Sequence, residues 1–328
     1  MRLPDDQNEL IRRVAQVNKN VVVVLHIGSP VEMPWTGDVT GILAMQLGGE
    51  AVGAATVDLL YGKANPCGKL AETFPLRLEH TPSYLNFPGW RDTVCYAEGV
   101  FVGYRYYTTK KMDVLFPFGH GLSYTTFQYS NLRLSADRIT DRDTLTVSLD
   151  VTNTGDRFGK EIVQIYVAPP KDGEIMRPAR ELRAFEKVAL EPGETKTLTF
   201  TLDKRAFAYY SANMGDWLVE SGEYTVAAAR SSADTSLAAP VFVEATVREK
   251  VPYTVDPPYI DLKRDSRAME IMRQYLSRAE RENTMSFMFT NEAFEMLLNY
   301  SPLRSVMAMN GFGEKDTQEL IEKLNALD

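Results

Sequence analysis

The side chains able to do chemistry in this sequence are few and scattered. The histidines His26, His80 and His120 and the cysteines Cys67 and Cys95 stand far apart and show no metal-ligand spacing. Two cysteines are too few for a disulfide framework, and two buried thiols are the preferred reading over a single bridge. His26 and Ser29 follow Val21-Val22-Val23-Val24-Leu25, in a loop after a strand, where active sites often sit. Ser29 precedes Pro30, however, and no GxSxG elbow surrounds it, so a loop near a domain interface is the better reading. His120, in Phe116-Pro117-Phe118-Gly119-His120-Gly121, reads as a packing or capping residue. Asp5 and Asp6 suit the positive end of a helix dipole better than acid catalysis. Glu98 lies in a Tyr- and Gly-rich stretch and is a candidate for substrate binding. Anchoring backbone amides or pairing with Arg105 is its preferred role. Asn299-Tyr300-Ser301 fits a glycosylation sequon, but Pro302 follows and the context is helical. No catalytic residue, metal ligand or cofactor contact is assigned.

The elements that must position these residues fall into three regions, predicted at 1–120, 121–248 and 249–328. Asp6 with Glu9 resembles a capping box, opening a helix with Leu10, Val14 and Val17 on one face. The apolar run at 21–25 predicts a central parallel strand covered on both faces. A second helix is predicted over 48–61, with Val52, Ala55 and Leu59 inward. A sheet of one or two βα units leaves edges and apolar surface exposed, so the region reads as part of a larger α/β domain. Residues 62–120 form a turn-rich connector expected to lie on that layer through Tyr84, Phe87, Trp90, Tyr96, Phe101, Tyr104, Tyr106 and Tyr107.

From 124 to 247 the hydrophobic period changes to two. Leu145, Val147, Leu149 and Val151 alternate with polar residues, as do Val163, Ile165 and Val167, then Leu198, Phe200 and Leu202, then Tyr224, Val226 and Ala228, then Val241 and Val243. Turn signals at Asn153-Thr154-Gly155, Pro169-Pro170, Pro192-Gly193 and Ser221-Gly222 separate them, which predicts a β-sandwich. Pro252, Pro257 and Pro258 mark a linker. Helices follow, one at 266–282 with Ala268, Ile271, Met272 and Tyr275 on a face. Another is capped by Thr290 and carries Phe294, Leu297 and Leu298, a third opens at Pro302, and the last carries Leu320, Ile321, Leu324 and Leu327. Seven methionines fall between Met269 and Met309. Core filling against the sandwich is preferred over a docking face.

The formal net charge of −8 gives no electrostatic reason to bind nucleic acid or an anionic membrane, and no stretch is long and apolar enough for a membrane span. Low cysteine usage and the absence of a visible signal lean towards the cytoplasm. A homo-oligomer stays open.

Several ordered motifs are more specific. Leu3-Pro4-Asp5-Asp6-Gln7-Asn8-Glu9-Leu10-Ile11, Asn18 to Leu25 with Gly28-Ser29-Pro30-Val31 and Met33-Pro34-Trp35, and Asn65-Pro66-Cys67-Gly68-Lys69-Leu70 with Thr73-Phe74-Pro75 resemble the C-terminal α/β domain of family 3 glycoside hydrolases, the β-glucosidase-like family. Tyr96-Ala97-Glu98-Gly99-Val100-Phe101-Val102-Gly103-Tyr104-Arg105-Tyr106-Tyr107 and Leu115 to Thr125 continue the match. Asn153-Thr154-Gly155 to Val167, Arg177-Pro178, Glu181-Leu182, Pro192-Gly193-Glu194 and Gly222-Glu223-Tyr224 resemble the family's fibronectin type III-like domain.

The resemblance implies an α/β plus all-β fold: a partial α/β sandwich layer, a fibronectin type III-like β-sandwich and a small helical extension. It implies a retaining exo-acting β-glycosidase, which needs two carboxyl groups about 5–5.5 Å apart and no cofactor. The family's nucleophile is an Asp on a separate TIM-like barrel, and its acid/base in many members is a Glu shortly before the Leu-Pro helix start. Neither has a counterpart in this sequence. The expected partners are that barrel and, through the complete enzyme, a β-glycoside or oligosaccharide. The chain by itself is expected to be inactive. The alternatives are a non-catalytic carbohydrate-binding or barrel-docking module, with Trp217 and Tyr209-Tyr210 as stacking residues, and an independent hydrolase with an unrecognised site.

Overall fold

The computed structural model describes residues 1–234, 237–249, 252–263, 265–281 and 292–327. The chain forms two compact units, Met1–Arg248 and Glu249–Asp328.

Helix α1 (Asp5–Val17) starts after Pro4, whose φ of −51° prepares the first turn. Asp5 and Asp6 stand in that turn, where they complement the helix dipole, but no side chain caps it. The expected capping box does not form: the helix already begins at Asp5, which puts Asp6 inside the first turn, and Glu9 turns to Arg12 at 2.7 Å and Arg13 at 2.6 Å. Only Ala15 of α1 is buried. Leu10 is 63% and Val17 87% exposed, so the apolar stripe is real but uncovered.

Strand β1 (Val22–Leu25) pairs in parallel with β2 (Gly41–Ala44), Val22 opposite Gly41. Val23 and Leu25 join Ile27, Val31, Met33, Trp35 and Phe74 in a small core. The Trp35 indole N–H donates to Asn8 Oδ1 at 2.9 Å and ties α1 to it. The expectation of a strand covered on both faces is corrected. Val22 is exposed, and β2 is the one strand paired with β1 among the described residues. Helix α2 spans Val52–Leu60, shorter than predicted, and buries no residue. Ala55, placed inward from the sequence, is exposed, while Val52 and Leu59 are half-buried.

The connector runs to about residue 124. Phe74 and Phe116 form an isolated antiparallel bridge across it. Helix α3 (Tyr104–Lys110) begins after Gly103, whose φ of 54° favours glycine. Tyr104 stacks on Phe118 at 4.7 Å, meets Tyr166 edge-on, and its hydroxyl accepts from the Leu182 N–H at 2.7 Å. Tyr104 therefore packs on the sandwich. Tyr84, Phe87, Trp90 and Tyr96 are exposed, which corrects their expected role in the α/β layer.

Two polar clasps join connector to sandwich. Lys69 Nζ lies 2.9 Å from Glu161 Oε1, their side chains 10% and 6% exposed. Lys69 also donates to the Gly121 carbonyl, and the Tyr129 hydroxyl donates to Glu161. The Gln164 amide donates to the Gly119 and Arg230 carbonyls, and its oxygen accepts from the Tyr166 hydroxyl. Gly119 has φ 78°, and a Cβ there would lie 2.1 Å from Gln164 Oε1, so this close approach requires glycine.

The sandwich contains β3 (Phe127–Leu134), β4 (Arg138–Thr140), β5 (Leu145–Asn153), β6 (Gly159–Ala168), β7 (Glu181–Leu190) and β8 (Thr195–Leu202). A short helix, α4 (Lys204–Phe207), precedes the hairpin β9 (Tyr209–Ser211) and β10 (Asp216–Leu218), and β11 (Gly222–Ala229) and β12 (Leu237–Glu244) follow. One sheet has the order β4-β12-β11-β6-β7 and the other β3-β5-β8. Leu145, Val147, Leu149 and Val151 are each 0% exposed, and burying each stabilises by about 1.5–3 kcal/mol. A one-residue slip would turn all four outward. Asn153, predicted as a turn residue, is itself buried: it accepts from Thr125 and donates to the Arg157 and Leu190 carbonyls.

The second unit holds α5 (Tyr259–Lys263), α6 (Ser266–Arg281), α7 (Glu292–Asn299), α8 (Leu303–Met309) and α9 (Glu314–Asn325). Ala268, Met272, Tyr275, Leu298, Val306, Met307, Leu320, Ile321 and Leu324 share one core. The methionines divide: Met272 and Met307 fill this core, Met296 is 67% exposed, and Met285 and Met288 lie outside the described residues, as does Thr290. The proline-rich segment is no free linker. Pro258 bridges to Pro302, and the Arg304 N–H donates to the Val255 carbonyl.

Candidate functional site

Glu98 opens into a cleft of about 460 Å³, lined also by Pro82, Asn86, Ala97, Phe101, Tyr106, Thr109, Lys110 and Met176. A tight turn presents it: the Gly99 N–H donates to the Tyr96 carbonyl and the Phe101 N–H to the Glu98 carbonyl at 3.0 Å. Gly99 takes φ 56° there. The last turn of α3 supplies the opposite polar group. Lys110 Nζ donates to the Tyr106 hydroxyl at 2.8 Å and rides 5.0 Å from that ring's centre.

Among the described residues the Glu98 carboxylate makes no hydrogen bond or ion pair with Arg105 or a backbone amide, which differs from the preferred sequence reading. Arg105 is engaged elsewhere, with Nε 3.4 Å from Glu181 Oε1. Glu181 also holds Arg183 at 2.5 Å and Arg177 at 3.7 Å. Arg177 in turn donates to the Phe207 and Ala208 carbonyls, so α3 is fastened to the start of β7 and to α4. Burial lowers the Arg183 pKa from its ordinary value. Thr109 is likewise used, donating to the Arg105 carbonyl and accepting from the Ala179 N–H.

The other candidates are spread over the first unit. His26 and Ser29 are exposed, in the loop after β1. His120 is half-buried and stacks on Phe116 at 5.2 Å, where burial, with the nearby Lys69 charge, lowers its pKa. Burial pushes Tyr107, on α3, up to about 12, so it stays protonated at neutral pH. Cys67 is half-buried and Cys95 exposed, both free, not the buried pair expected. Asn299 ends α7, with Oδ1 buried and without a hydrogen-bond partner among the described residues. No metal-ligating cluster occurs among the described residues, and no described helix is long and apolar enough to cross a membrane.

Of the sandwich's candidate stacking rings, Trp217 is covered, while Tyr210 is 55% exposed. The Arg205 guanidinium lies 3.5 Å from the centre of the Trp217 ring, and the indole also packs on the sandwich core. Tyr210 meets it edge-on at 5.3 Å.

Asn86, Tyr106, Lys110 and Met176 were not singled out from the sequence as companions of Glu98. Tyr106 and Lys110 are four apart on one helix and so share a face, a signal legible once α3 is recognised. Met176 comes from the loop before β7, and no local pattern points to it.

Comparison with known proteins accounts for this architecture. The model of the glycosyl hydrolase family 3 C-terminal domain matches residues 1–124, and that of the fibronectin type III-like domain matches residues 161–232. Thermostable beta-glucosidase B of Acetivibrio thermocellus is 47% identical over 100% of this chain and 44% of its own length. An exo-alpha-(1->6)-L-arabinopyranosidase of Bifidobacterium breve is 40% identical over 95% of the chain and 41% of its own length. The crystal structure of a GH3 beta-glucosidase of Bifidobacterium adolescentis superposes with a TM-score of 0.74 and 43% identity, covering 82% of this chain and 39% of that one. The chain thus spans less than half the length of these relatives. With both models matched in order and relatives of this similarity, the chain belongs to glycosyl hydrolase family 3 and carries that family's C-terminal domain followed by its fibronectin type III-like domain.

Proposed function

We propose that the chain is the C-terminal part of a retaining, exo-acting β-glycosidase and that it hydrolyses no glycoside by itself. The observation that carries this is the cleft at Glu98, whose lining contains one carboxylate and no second. A retaining mechanism needs two carboxyl groups about 5–5.5 Å apart. The uncovered stripe of α1 and the single partner of β1 support the same reading. Both are what an α/β layer shows where further strands and helices of its domain are absent. In the whole protein the nucleophile and the acid/base come from upstream sequence. Relatives named as a beta-glucosidase and as an arabinopyranosidase both resemble the chain at 40% identity or more, so the glycone is chosen by that upstream part.

The test is hydrolysis of aryl β-glucoside, β-xyloside and arabinoside substrates by the 328-residue chain, alone and mixed with the upstream portion of a family relative. Turnover equal to buffer for the chain alone, restored by the upstream portion, is expected. Turnover by the chain alone that disappears in Glu98→Gln would overturn the proposal.

A further inference from the structure

We propose that the cleft at Glu98 is a binding site for a neutral saccharide ring, formed by this chain without help from upstream residues. Three polar residues line it in complementary roles. The Glu98 carboxylate only accepts hydrogen bonds, the Lys110 ammonium only donates, and the Asn86 amide does both. Glu98 and Asn86 make no side-chain hydrogen bond or ion pair among the described residues, and Arg105, the one cation the sequence offered to Glu98, is taken by Glu181. Lys110 spends one N–H on the Tyr106 hydroxyl and keeps two.

The walls between these groups are apolar: the rings of Phe101 and Tyr106, with Pro82 and Met176. A cleft of about 460 Å³ with apolar walls and a few polar groups has the form of a small-molecule site. The mixture of roles selects the ligand. A carboxylate disfavours an anion and an ammonium disfavours a cation, since each leaves one like charge facing the ligand. A ring of hydroxyl groups satisfies all three polar residues at once, because each hydroxyl donates and accepts. Its C–H face is matched by the aromatic wall. The choice of a saccharide among neutral polyols rests on the glycosidase reading above.

The site rests on Gly99 and Gly103 at positive φ on one side and on α3 on the other. The arginine cluster around Glu181 fastens α3 to the sandwich, so the α3 side of the cleft is held by packed elements. This framework lies within the first unit.

The test uses the whole 328-residue chain with cellobiose and, separately, glucose as probes, read by saturation-transfer NMR and titration calorimetry. Saturation transfer to the ring protons is expected. In Glu98→Gln, which keeps shape and removes the charged acceptor, affinity should fall about tenfold or more. Asn86→Ala should weaken binding in the same direction, with thermal unfolding of both variants unchanged. Asp38→Asn, in the separate polar cleft beside α1, should leave it unaltered. Absence of transfer from either sugar overturns the proposal, as does affinity unchanged in both cleft variants. Hydrolysis in the reconstituted protein is a separate readout. Binding without restored turnover removes the glycosidase reading and keeps this site, whereas restored turnover without binding to the chain alone does the reverse.

Discussion

Replacing Lys69 by methionine should cost the first unit about 3–5 kcal/mol, because it leaves the Glu161 carboxylate buried without its cation. The two groups are 2.9 Å apart, and their side chains are 10% and 6% exposed. At an effective dielectric constant of about 20, that separation gives a gross attraction of about 6 kcal/mol, part of which offsets the desolvation of both ions. Methionine keeps the length of the side chain and removes the charge, so the change isolates electrostatics from packing. The hydrogen bond from Tyr129 remains but cannot neutralise the carboxylate. For a unit of this size the loss corresponds to a melting temperature lower by about 6–20 °C. Thermal unfolding followed by circular dichroism measures it. The double variant Lys69→Met, Glu161→Gln should regain more than half of the loss, since the uncompensated charge is gone. A single variant melting within about 2 °C of the parent, or a double variant as unstable as the single, would refute the claim that a buried charge pair clasps the connector to the sandwich.

Further outcomes follow from the same geometry. Gly119→Ala should lower the urea midpoint by an amount equivalent to about 1–3 kcal/mol, and Gln164→Ala in the same chain should relieve part of that, because the new Cβ meets the Gln164 side chain. His120 has a folded-state pKa below its ordinary 6.5. Its contribution to stability is therefore complete above that value and is lost as pH falls through the folded pKa. His120→Gln should flatten the loss of stability between about pH 7 and 5. Arg205→Ala should uncover Trp217 and increase its fluorescence quenching by acrylamide; unchanged quenching would mean that the guanidinium does not cover the ring. Leu10→Lys together with Val17→Lys should change the stability of the isolated chain by less than about 0.5 kcal/mol per site yet weaken its association with the upstream portion, read by calorimetry.

The sandwich core was legible because period-two alternation is a local signal that tertiary packing reinforced, as at Leu145, Val147, Leu149 and Val151. Strand β7 escaped notice because Glu181, Arg183, Glu186 and Lys187 interrupt its apolar residues, and its arginine–glutamate cluster has meaning only in three dimensions. The stripe on α1 was read correctly and its burial wrongly, for periodicity reports which residues share a face and not whether anything covers it. The same limit applied to Ala55. Proline density at 252–258 suggested a linker, while the backbone pairing with Ser301 to Arg304 that orders it lies more than 40 residues away in sequence. At the cleft, Glu98 stood out from its surroundings in the chain. That no described residue pairs with it follows from Glu181 claiming Arg105, a pairing between residues 76 positions apart that no window of sequence displays.

The clasps between connector and sandwich also have a kinetic meaning. Lys69 and Asn65 find their partners Glu161 and Phe158 across more than 90 residues, and Gln164 reaches both Gly119 and Arg230. During synthesis the connector therefore emerges well before the surface that receives it. At about 5–20 residues per second, the interval between translation of Lys69 and completion of β12 at Glu244 is roughly 10–35 s. For most of that time Tyr104 and Phe118 have no sandwich to pack against. The ribosome-bound chain thus presents an aromatic segment to chaperones and to neighbouring nascent chains, and the late strands of the sandwich decide how long it stays exposed.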